Sequence, residues 1–236
     1  VFAIIRVTYY CYGVEAIRET WAQYTALIIA IITIVYGSAM ALRERHFKRR
    51  LAYSTVSNIS YIVFGAMLLS EAGLAAALMH FLFHSVTKIA AFMNAGAVIE
   101  TTEREYIFRL DGLGRKMPVT FGCFTVSALS LTGIPLFCGF FSKWNLCTAA
   151  LADGGAYGIA GVAALLISAL FTAIYMFSIV IRAFFRQGEG LEDVHEANWR
   201  MSWIALPLAL FMALAFILMP QLSQYFNSIA SAAFAA

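Results

Sequence analysis

The sequence has little charge. Asp, Glu, Lys and Arg make up 12% of its 236 residues, whereas hydrophobic residues make up 62%. Soluble domains carry about a quarter charged residues, so this composition excludes an ordinary soluble fold. Several apolar runs reach the roughly 20 residues that a helix needs to cross a hydrocarbon core of about 30 Å. We therefore predict an all-α, polytopic membrane helix bundle.

Cysteine is also scarce, and none of the four cysteines forms a CxxC pair or a metal-ligand spacing with histidine. We expect all four to be small apolar residues within helices. The sequence has no nucleotide-binding loop, nucleophile triad or cofactor motif. We expect no metal, cofactor or catalytic site in this chain, so any enzymatic activity would belong to a larger assembly. A net charge of +3 gives no reason to expect a nucleic acid partner.

Carboxylates are missing from the apolar runs, because all 13 Asp and Glu residues fall in loops or near the ends of runs. The ionisable side chains inside the runs are all bases: His80, His84, Lys88, Lys143 and Arg6. Ionisable groups within a membrane are costly and indicate a functional site by default. These bases are therefore the candidate functional residues.

The basic residues are unevenly distributed between the predicted loops. Loops 43–50, 100–117 and 182–200 contain five, four and three Lys or Arg, whereas the opposite loops contain only Arg18. Cytoplasmic loops of membrane proteins carry an excess of Lys and Arg. The alternation predicts that the basic loops face the cytoplasm and that the C-terminus lies outside. We expect a multi-pass protein of the inner cell membrane.

The apolar runs predict one transmembrane domain, residues 1–222, with about seven spans, followed by an interfacial tail, residues 223–236. The chain begins without Met inside an apolar run, so we expect a longer parent chain. The expected spans are the end of one at 1–13, then 21–42, 51–70, 72–99, 118–151, 157–185 and 201–222.

The run 118–151 is too long for one straight span, since more than 30 helical residues extend to about 50 Å. Gly133, Pro135 and Gly139 interrupt it in the segment SLTGIPLFCGF. Proline removes a backbone donor and glycine weakens a helix. We predict two half-helices joined by an irregular break, which a membrane tolerates only against protein or a water-filled cavity.

His80, His84 and Lys88 stand at i, i+4 and i+8 of one apolar run, which places them on one face of a helix. Successive side chains then lie about 6 Å apart, so proton transfer between them needs bridging waters. Burial disfavours the charged form of lysine, and histidine titrates near neutral pH, so the row predicts a proton relay. Two alternatives stay open: packing by hydrogen-bonded histidines, and a zinc site, which lacks the glutamate of HExxH.

Lys143 lies about two turns beyond the predicted break, where we expect it to bind backbone carbonyls that the break releases. The alternative is a lysine that extends to the membrane interface. A second polar series, at i, i+4, i+7 and i+8 of run 51–70, fits a water-lined path beside the relay and, equally, ordinary packing of small residues. Its members are Tyr53, Ser57, Ser60 and Tyr61.

Four motifs follow one another along the chain. They are KRRLAYSTVSNISYI (48–62), MHFLFHSVTKIAAFMNAG (79–96), LDGLGRKMP (110–118) and SLTGIPLFCGFFSKWNL (130–146). In this order they resemble the antiporter-like membrane subunits shared by respiratory complex I, Mrp-type sodium/proton antiporters and energy-converting membrane-bound hydrogenases. The resemblance extends from residue 1 to about residue 222. It implies two inverted five-helix repeats, each with a discontinuous helix, and this chain would carry most of the second.

The resemblance also implies roles for four residues. Lys88 matches the central relay lysine of the family, His80 and His84 match its connecting histidines, and Lys143 matches the lysine near the outward exit. Members of the family have a buried glutamate and a further lysine in their first repeat, and no residue here corresponds to them. We therefore expect the C-terminal half of such a subunit, whose carboxylate partner lies outside this chain.

The function that the resemblance implies is proton translocation, with sodium as the alternative ion. The subunit would belong to a redox-driven complex of the NADH:quinone or hydrogenase type, with the bilayer and other membrane subunits as partners. Two alternatives stay open: a subunit of an Mrp-type sodium/proton antiporter without a redox partner, and a structural membrane subunit with a vestigial channel. A dry interior around Lys88 would favour the structural subunit.

Overall fold

The computed structural model describes residues 1–152 and 155–235, apart from the side chain of Ser202. Ala236, the end of the predicted tail, lies outside the described residues. Within them there are helices and no strands, which confirms the all-α prediction. The helices are α1 (Phe2–Arg6), continued by a π-helical segment (Val7–Tyr12), α2 (Val14–Ile17), α3 (Trp21–Arg43), α4 (Phe47–Met67), α5 (Glu71–Thr102), α6 (Leu113–Lys116), α7 (Pro118–Thr132), α8 (Cys138–Ala152), α9 (Ala156–Phe185), α10 (Trp199–Leu214) and α11 (Met219–Ala235), with 3-10 turns at Ile107–Arg109 and Ala215–Leu218.

Helix α5 lies at the centre of the bundle, in contact with α4, α7, α8, α10 and α11. Its alanines, among them Ala77, Ala90 and Ala95, are fully buried and let neighbouring helices approach closely. The side chain of Ser70 caps its first turn by accepting a hydrogen bond from the Gly73 amide. The helix that carries the predicted relay is therefore surrounded by other helices.

Four stretches are long and apolar enough to cross a membrane: α3, α5, α9 and the run Trp199–Ala235. Helix α3 exposes Ile29 and Ile32, and α9 exposes Leu166 and Leu170. Exposed apolar faces of this kind are typical of helices that meet lipid or another subunit.

The predicted break separates α7 from α8. Helix α7 ends at Thr132, and Gly133 adopts the left-handed conformation (φ +88°) that commonly closes a helix. A tight turn follows, in which the Phe137 amide donates to the carbonyl of Ile134 at 3.2 Å and Leu136 has φ +81°. Pro135 occupies the second position of this turn, and Gly139 lies in the first turn of α8.

The three basic segments meet at one end of the bundle. The Phe47 amide donates to the Glu105 carbonyl at 2.8 Å, and Arg115 donates to the Phe184 carbonyl at 3.0 Å. At the opposite end, Arg18 donates to the Leu69 carbonyl at 2.8 Å. The alternation of charge along the chain is thus a difference between two ends of one bundle.

Two predicted boundaries differ from the structure. Helix α4 begins at Phe47 rather than at residue 51, because Arg50 folds back in its first turn to the Glu44 carbonyl, 2.9 Å away. The predicted tail 223–236 is helical as far as residue 235, in α11. Phe226, Ala230 and Ala233 recur at helical spacing in α11 and are buried, and α11 packs against α5. The placement of this segment at the membrane interface stays a prediction.

Candidate functional site

The three predicted relay residues of α5 are all buried: His80 is 3%, His84 7% and Lys88 6% exposed. The rings of the two histidines lie nearly parallel, with centroids 6.0 Å apart. Tyr61 of α4 stacks against His80, with a centroid distance of 5.3 Å. The spacing seen in the sequence therefore places the histidines in one row inside the bundle.

Lys88 is held by oxygen atoms of α4. Its Nζ donates to the Leu51 carbonyl at 2.9 Å and to Ser54 Oγ at 2.8 Å. The Tyr175 hydroxyl of α9 donates to the same Ser54 Oγ at 2.7 Å and lies 3.1 Å from Thr172 Oγ1. No carboxylate of the described residues pairs with Lys88. Lys88 is thus bound by a backbone carbonyl and by a hydroxyl, both neutral groups.

His80 connects α5 to α8. Its Nδ1 lies 2.9 Å from Ser142 Oγ, and the Ser142 hydroxyl donates to the Gly139 carbonyl beside the break. The Nε2 atoms of His80 and His84 are buried, and neither has a hydrogen-bond partner among the described residues. Buried polar atoms are rarely left unpaired in folded proteins. These two nitrogen atoms are therefore positions where water or a proton is expected.

Lys143 binds the end of α7. Its Nζ donates to the carbonyl oxygens of Leu131 and Thr132. In an unbroken helix the Leu131 carbonyl would accept from the amide of residue 135, but Pro135 has no N–H. The break therefore supplies the acceptors that Lys143 uses. The ammonium group also lies 5.6 Å from the ring centroid of Tyr61, within the range of cation–π attraction.

A small cavity lies between the relay histidines of α5 and Lys143 of α8. Its volume is about 10 Å³, close to the roughly 10–15 Å³ that one water molecule needs. His80, His84 and Lys143 line it together with polar residues of four helices. Those polar residues are Asn58, Thr87, Ser130 and Ser142. The predicted relay histidines and the predicted exit lysine therefore share one space with room for a single water.

The four residues of the predicted polar series on α4 do not form one continuous row, because each of them contacts a different part of the bundle. Ser57 donates to the Ile34 carbonyl at 2.9 Å and packs against Gly37 of α3, where a Cβ atom would not fit. Ser60 donates to Val56 of its own helix, and Tyr61 donates to the Leu165 carbonyl at 3.4 Å. Tyr53 packs against the apolar cluster around Phe47.

The α4 residues that face the relay are Ser54, Asn58 and Tyr61. Ser54 and Asn58 each lie one position beyond the predicted Tyr53 and Ser57. None of the four predicted residues lines the cavity described above. Ser54 and Asn58 are themselves spaced i, i+4, and Tyr61 follows at i+7. This second stripe is equally visible in the sequence, but the polar residues of α4 occupy two neighbouring faces, and spacing alone does not choose between them. A water-lined path along the predicted series stays a prediction.

Within residues 1–152 and 155–235 no three His, Cys, Asp or Glu side chains lie close enough to hold a metal ion.

Comparison with known proteins identifies the family. The NADH:quinone oxidoreductase/Mrp antiporter transmembrane family matches residues 1–172. The chain belongs to this family. Both the family prediction and the prediction of a multi-pass membrane protein are confirmed.

Two curated relatives represent the two branches of the family name. The L-type subunit of NADH-quinone oxidoreductase from Mycobacterium tuberculosis is 37% identical over 191 residues, which are 80% of this chain and 30% of the relative. The D-type subunit of the Na(+)/H(+) antiporter from Alkalihalophilus pseudofirmus is 35% identical over 192 residues, 81% of this chain and 38% of the relative. The chain thus spans about a third of the length of these relatives.

A solved structure agrees with the fold. A chain of the Mrp complex from Dietzia sp. superposes with a TM-score of 0.89 at 22% sequence identity, over 99% of this chain and 50% of that chain. At this identity the similarity supports the fold. At the level of the fold, the prediction of an antiporter-like membrane bundle with a discontinuous helix is confirmed.

Proposed function

We propose that this chain carries protons through a membrane as part of an antiporter-like subunit of a larger, redox-driven ion-pumping complex. One observation carries the proposal: the unpartnered Nε2 atoms of His80 and His84 belong to residues that line a one-water cavity together with Lys143. Family membership supports it, since the relatives are subunits of a quinone oxidoreductase and of an antiporter.

The mechanism begins at Lys88. A proton on its Nζ leaves along the row of His84 and His80, in steps that need bridging water. Each histidine accepts on one ring nitrogen and releases from the other, which neutral imidazole permits. The cavity water then passes the proton to Lys143, which releases it outward.

Charge repulsion orders these steps. Among the described residues no carboxylate neutralises Lys88 or Lys143. A proton on one base therefore disfavours a proton on the next, because like charges in a poorly solvated site repel strongly. Redox chemistry elsewhere in the complex supplies the drive, and a carboxylate outside this chain completes the charge balance.

The orientation of the chain follows from its charge. The basic segments meet at the end of the bundle that holds Phe47, Glu105 and Phe184. An excess of Lys and Arg on one side supports a cytoplasmic location for that end. The C-terminus then lies outside the inner membrane, where the end of α11 meets the interface.

The test replaces each lysine in the assembled complex. We expect Lys88→Ala and Lys143→Ala each to abolish proton uptake by inverted membrane vesicles, measured with a pH-sensitive dye, while the complex still assembles. Lys116→Ala is the matched control, because Lys116 is an exposed lysine at the basic end, and it should pump normally. Normal pumping with both Lys88 and Lys143 replaced would contradict the mechanism and favour a structural subunit with a vestigial channel.

The second candidate is a subunit of a sodium/proton antiporter without a redox partner. The observation in its favour is that the chain is about as similar to the antiporter relative, at 35% identity, as to the quinone oxidoreductase relative, at 37%. The same vesicles separate the two functions. Proton movement that follows an imposed sodium gradient, without an electron donor, supports the antiporter, and movement that requires the donor supports the redox-driven complex.

A further inference from the structure

Arg50 is a buried cation that the relay itself does not use. It is 7% exposed, the one buried arginine in the part of the chain that the structure describes. Its Nε and Nη2 donate to the Glu44 carbonyl, and its Nη1 donates to the Tyr175 carbonyl at 3.1 Å and to Ser178 Oγ at 2.8 Å. All these acceptors are neutral oxygens. No carboxylate of the described residues lies within 4.0 Å of the guanidinium.

Arg50 and Lys88 are bound to the same two helices. Lys88 donates to Leu51, the residue after Arg50, and to Ser54, one helical turn further along α4. The hydroxyl of Tyr175 meets Ser54, and the backbone carbonyl of Tyr175 meets Arg50. The guanidinium therefore lies about one helical turn from the Lys88 network, on the side of the basic end.

Open space lies on the other side of Arg50. A cleft of about 450 Å³ at the basic end is lined by Arg45, Arg50, Ser178 and Arg182. Arg50 thus stands between this cleft and the hydroxyl network of Ser54 and Tyr175. Without it, water from the cleft would be one helical turn from Lys88.

We propose that Arg50 is an electrostatic seal that prevents the proton on Lys88 from returning to the basic end of the bundle. Arginine remains charged in proteins, so it neither accepts a proton nor passes one on. Its fixed charge repels a hydronium ion or a second proton in the same narrow space. Fixed arginines exclude protons and cations from membrane pores in the same way. The seal deepens the proposed function and depends on it, because it matters only if Lys88 carries a proton.

The test measures passive proton leak in the absence of any driving reaction. The purified complex is placed in liposomes with a trapped pH dye, and a potassium diffusion potential is imposed with valinomycin. We expect Arg50→Leu and Arg50→Gln to leak at least about tenfold faster than the parent complex, because both remove the charge. Arg50→Gln keeps amide donors and is the second variant in case Arg50→Leu fails to assemble.

Two further variants exclude simple structural damage. The control Arg49→Leu, which replaces an exposed arginine of the same helical turn, should stay tight. The double variant Arg50→Leu with Lys88→Met should be tight again, because the leak passes through Lys88. A tight Arg50→Gln complex, a leaky Arg49→Leu complex or a leaky double variant would each overturn the seal. Continued driven pumping by Lys88→Met alone would instead refute the proposed function, so the two failures are distinguishable.

Discussion

Lys88 and Lys143 both bind backbone carbonyls, but the two carbonyl sites have different origins. The Leu51 carbonyl that binds Lys88 belongs to an unbroken stretch of α4, and it also accepts from the Thr55 hydroxyl at 3.0 Å. The Leu131 and Thr132 carbonyls that bind Lys143 belong to the last turn of α7. Their usual amide donors are missing because the helix stops there.

The difference shows how each lysine is held. A continuous helix offers only the second lone pair of a carbonyl, so the site of Lys88 adds the hydroxyls of Ser54 and Tyr175. These side chains can rotate when the lysine gains or loses its proton. The broken helix fixes Lys143 through the backbone itself. We infer that Lys88 is the adjustable end of the path and Lys143 the rigid end.

The largest predicted effect comes from a substitution at the break between α7 and α8, which positions Lys143. Gly139 lies so close to the Ser130 carbonyl that an added Cβ atom would overlap it. We expect Gly139→Ala to lower the free energy of unfolding by about 3 kcal/mol or more, through overpacking of backbone against backbone. Thermal unfolding of the purified complex in detergent measures this.

Gly122→Ala is the matched control, because nothing lies within 4 Å of a Cβ built there in α7. A helical glycine replaced by alanine should gain up to about 1 kcal/mol. Equal stability of the two variants would show that α7 and α8 do not pack as tightly at the break as the structure indicates.

The next effect compares the lysines directly. Lys143→Met leaves two carbonyls without donors and should cost about 2 kcal/mol of unfolding free energy. Lys88→Met removes a buried charge while Tyr175 still donates to Ser54, so it should cost less than about 1 kcal/mol or stabilise the fold. Chemical unfolding of both variants measures the difference. The reverse order of stability would contradict the assignment of rigid and adjustable ends.

A smaller effect restores a donor at the break. Pro135→Ala supplies an N–H that competes with Lys143 for the Leu131 carbonyl. The loss of about one net hydrogen bond, about 1 kcal/mol, predicts a fall in proton translocation of about fivefold. Pumping by the vesicles measures it, and unchanged pumping would show that Lys143 does not depend on the missing amide.

The smallest effect relieves strain in the turn between α7 and α8. Leu136 is 65% exposed and has φ +81°, a conformation that favours glycine. We expect Leu136→Gly to raise the free energy of unfolding by about 0.5–1 kcal/mol. The same change at the exposed Leu170, inside α9, should lower it by about 1 kcal/mol. A loss of stability at both positions would argue against strain at Leu136.

Sequence predicted the helices and the position of His80, His84, Lys88 and Lys143 inside the bundle because both depend on local rules. Arg6, which was also expected inside an apolar run, is exposed. Apolar runs gave α3, α5 and α9 nearly to the residue, and the spacing of His80, His84 and Lys88 gave their common face. Pro135 gave the break, since a missing N–H is a local property. The predicted interfacial tail carried no secondary-structure assignment. In the structure residues 223–235 are helical, and Phe226 and Ala230 continue the apolar stripe.

The partners of the bases depend on tertiary contacts. Tyr175 shares Ser54 Oγ with Lys88 but lies 87 positions away from it in the sequence, and no local pattern marks that tyrosine. The choice of Ser54 and Asn58 over Tyr53 and Ser57 depends on how α4 packs against α3, where Gly37 receives Ser57. Sequence alone assigns Arg50 to the basic loop, but its hydrogen bonds place it inside the bundle.

The central claim is that the relay of α5 reaches the rigid lysine through a single water. A density map of the intact complex at about 2 Å resolution tests this claim directly, since ordered buried waters are visible at that level. We predict one water in the cavity lined by His80, His84 and Lys143, within about 3.2 Å of at least one histidine Nε2. A dry cavity, with Lys143 still bound to Leu131 and Thr132, would contradict the path.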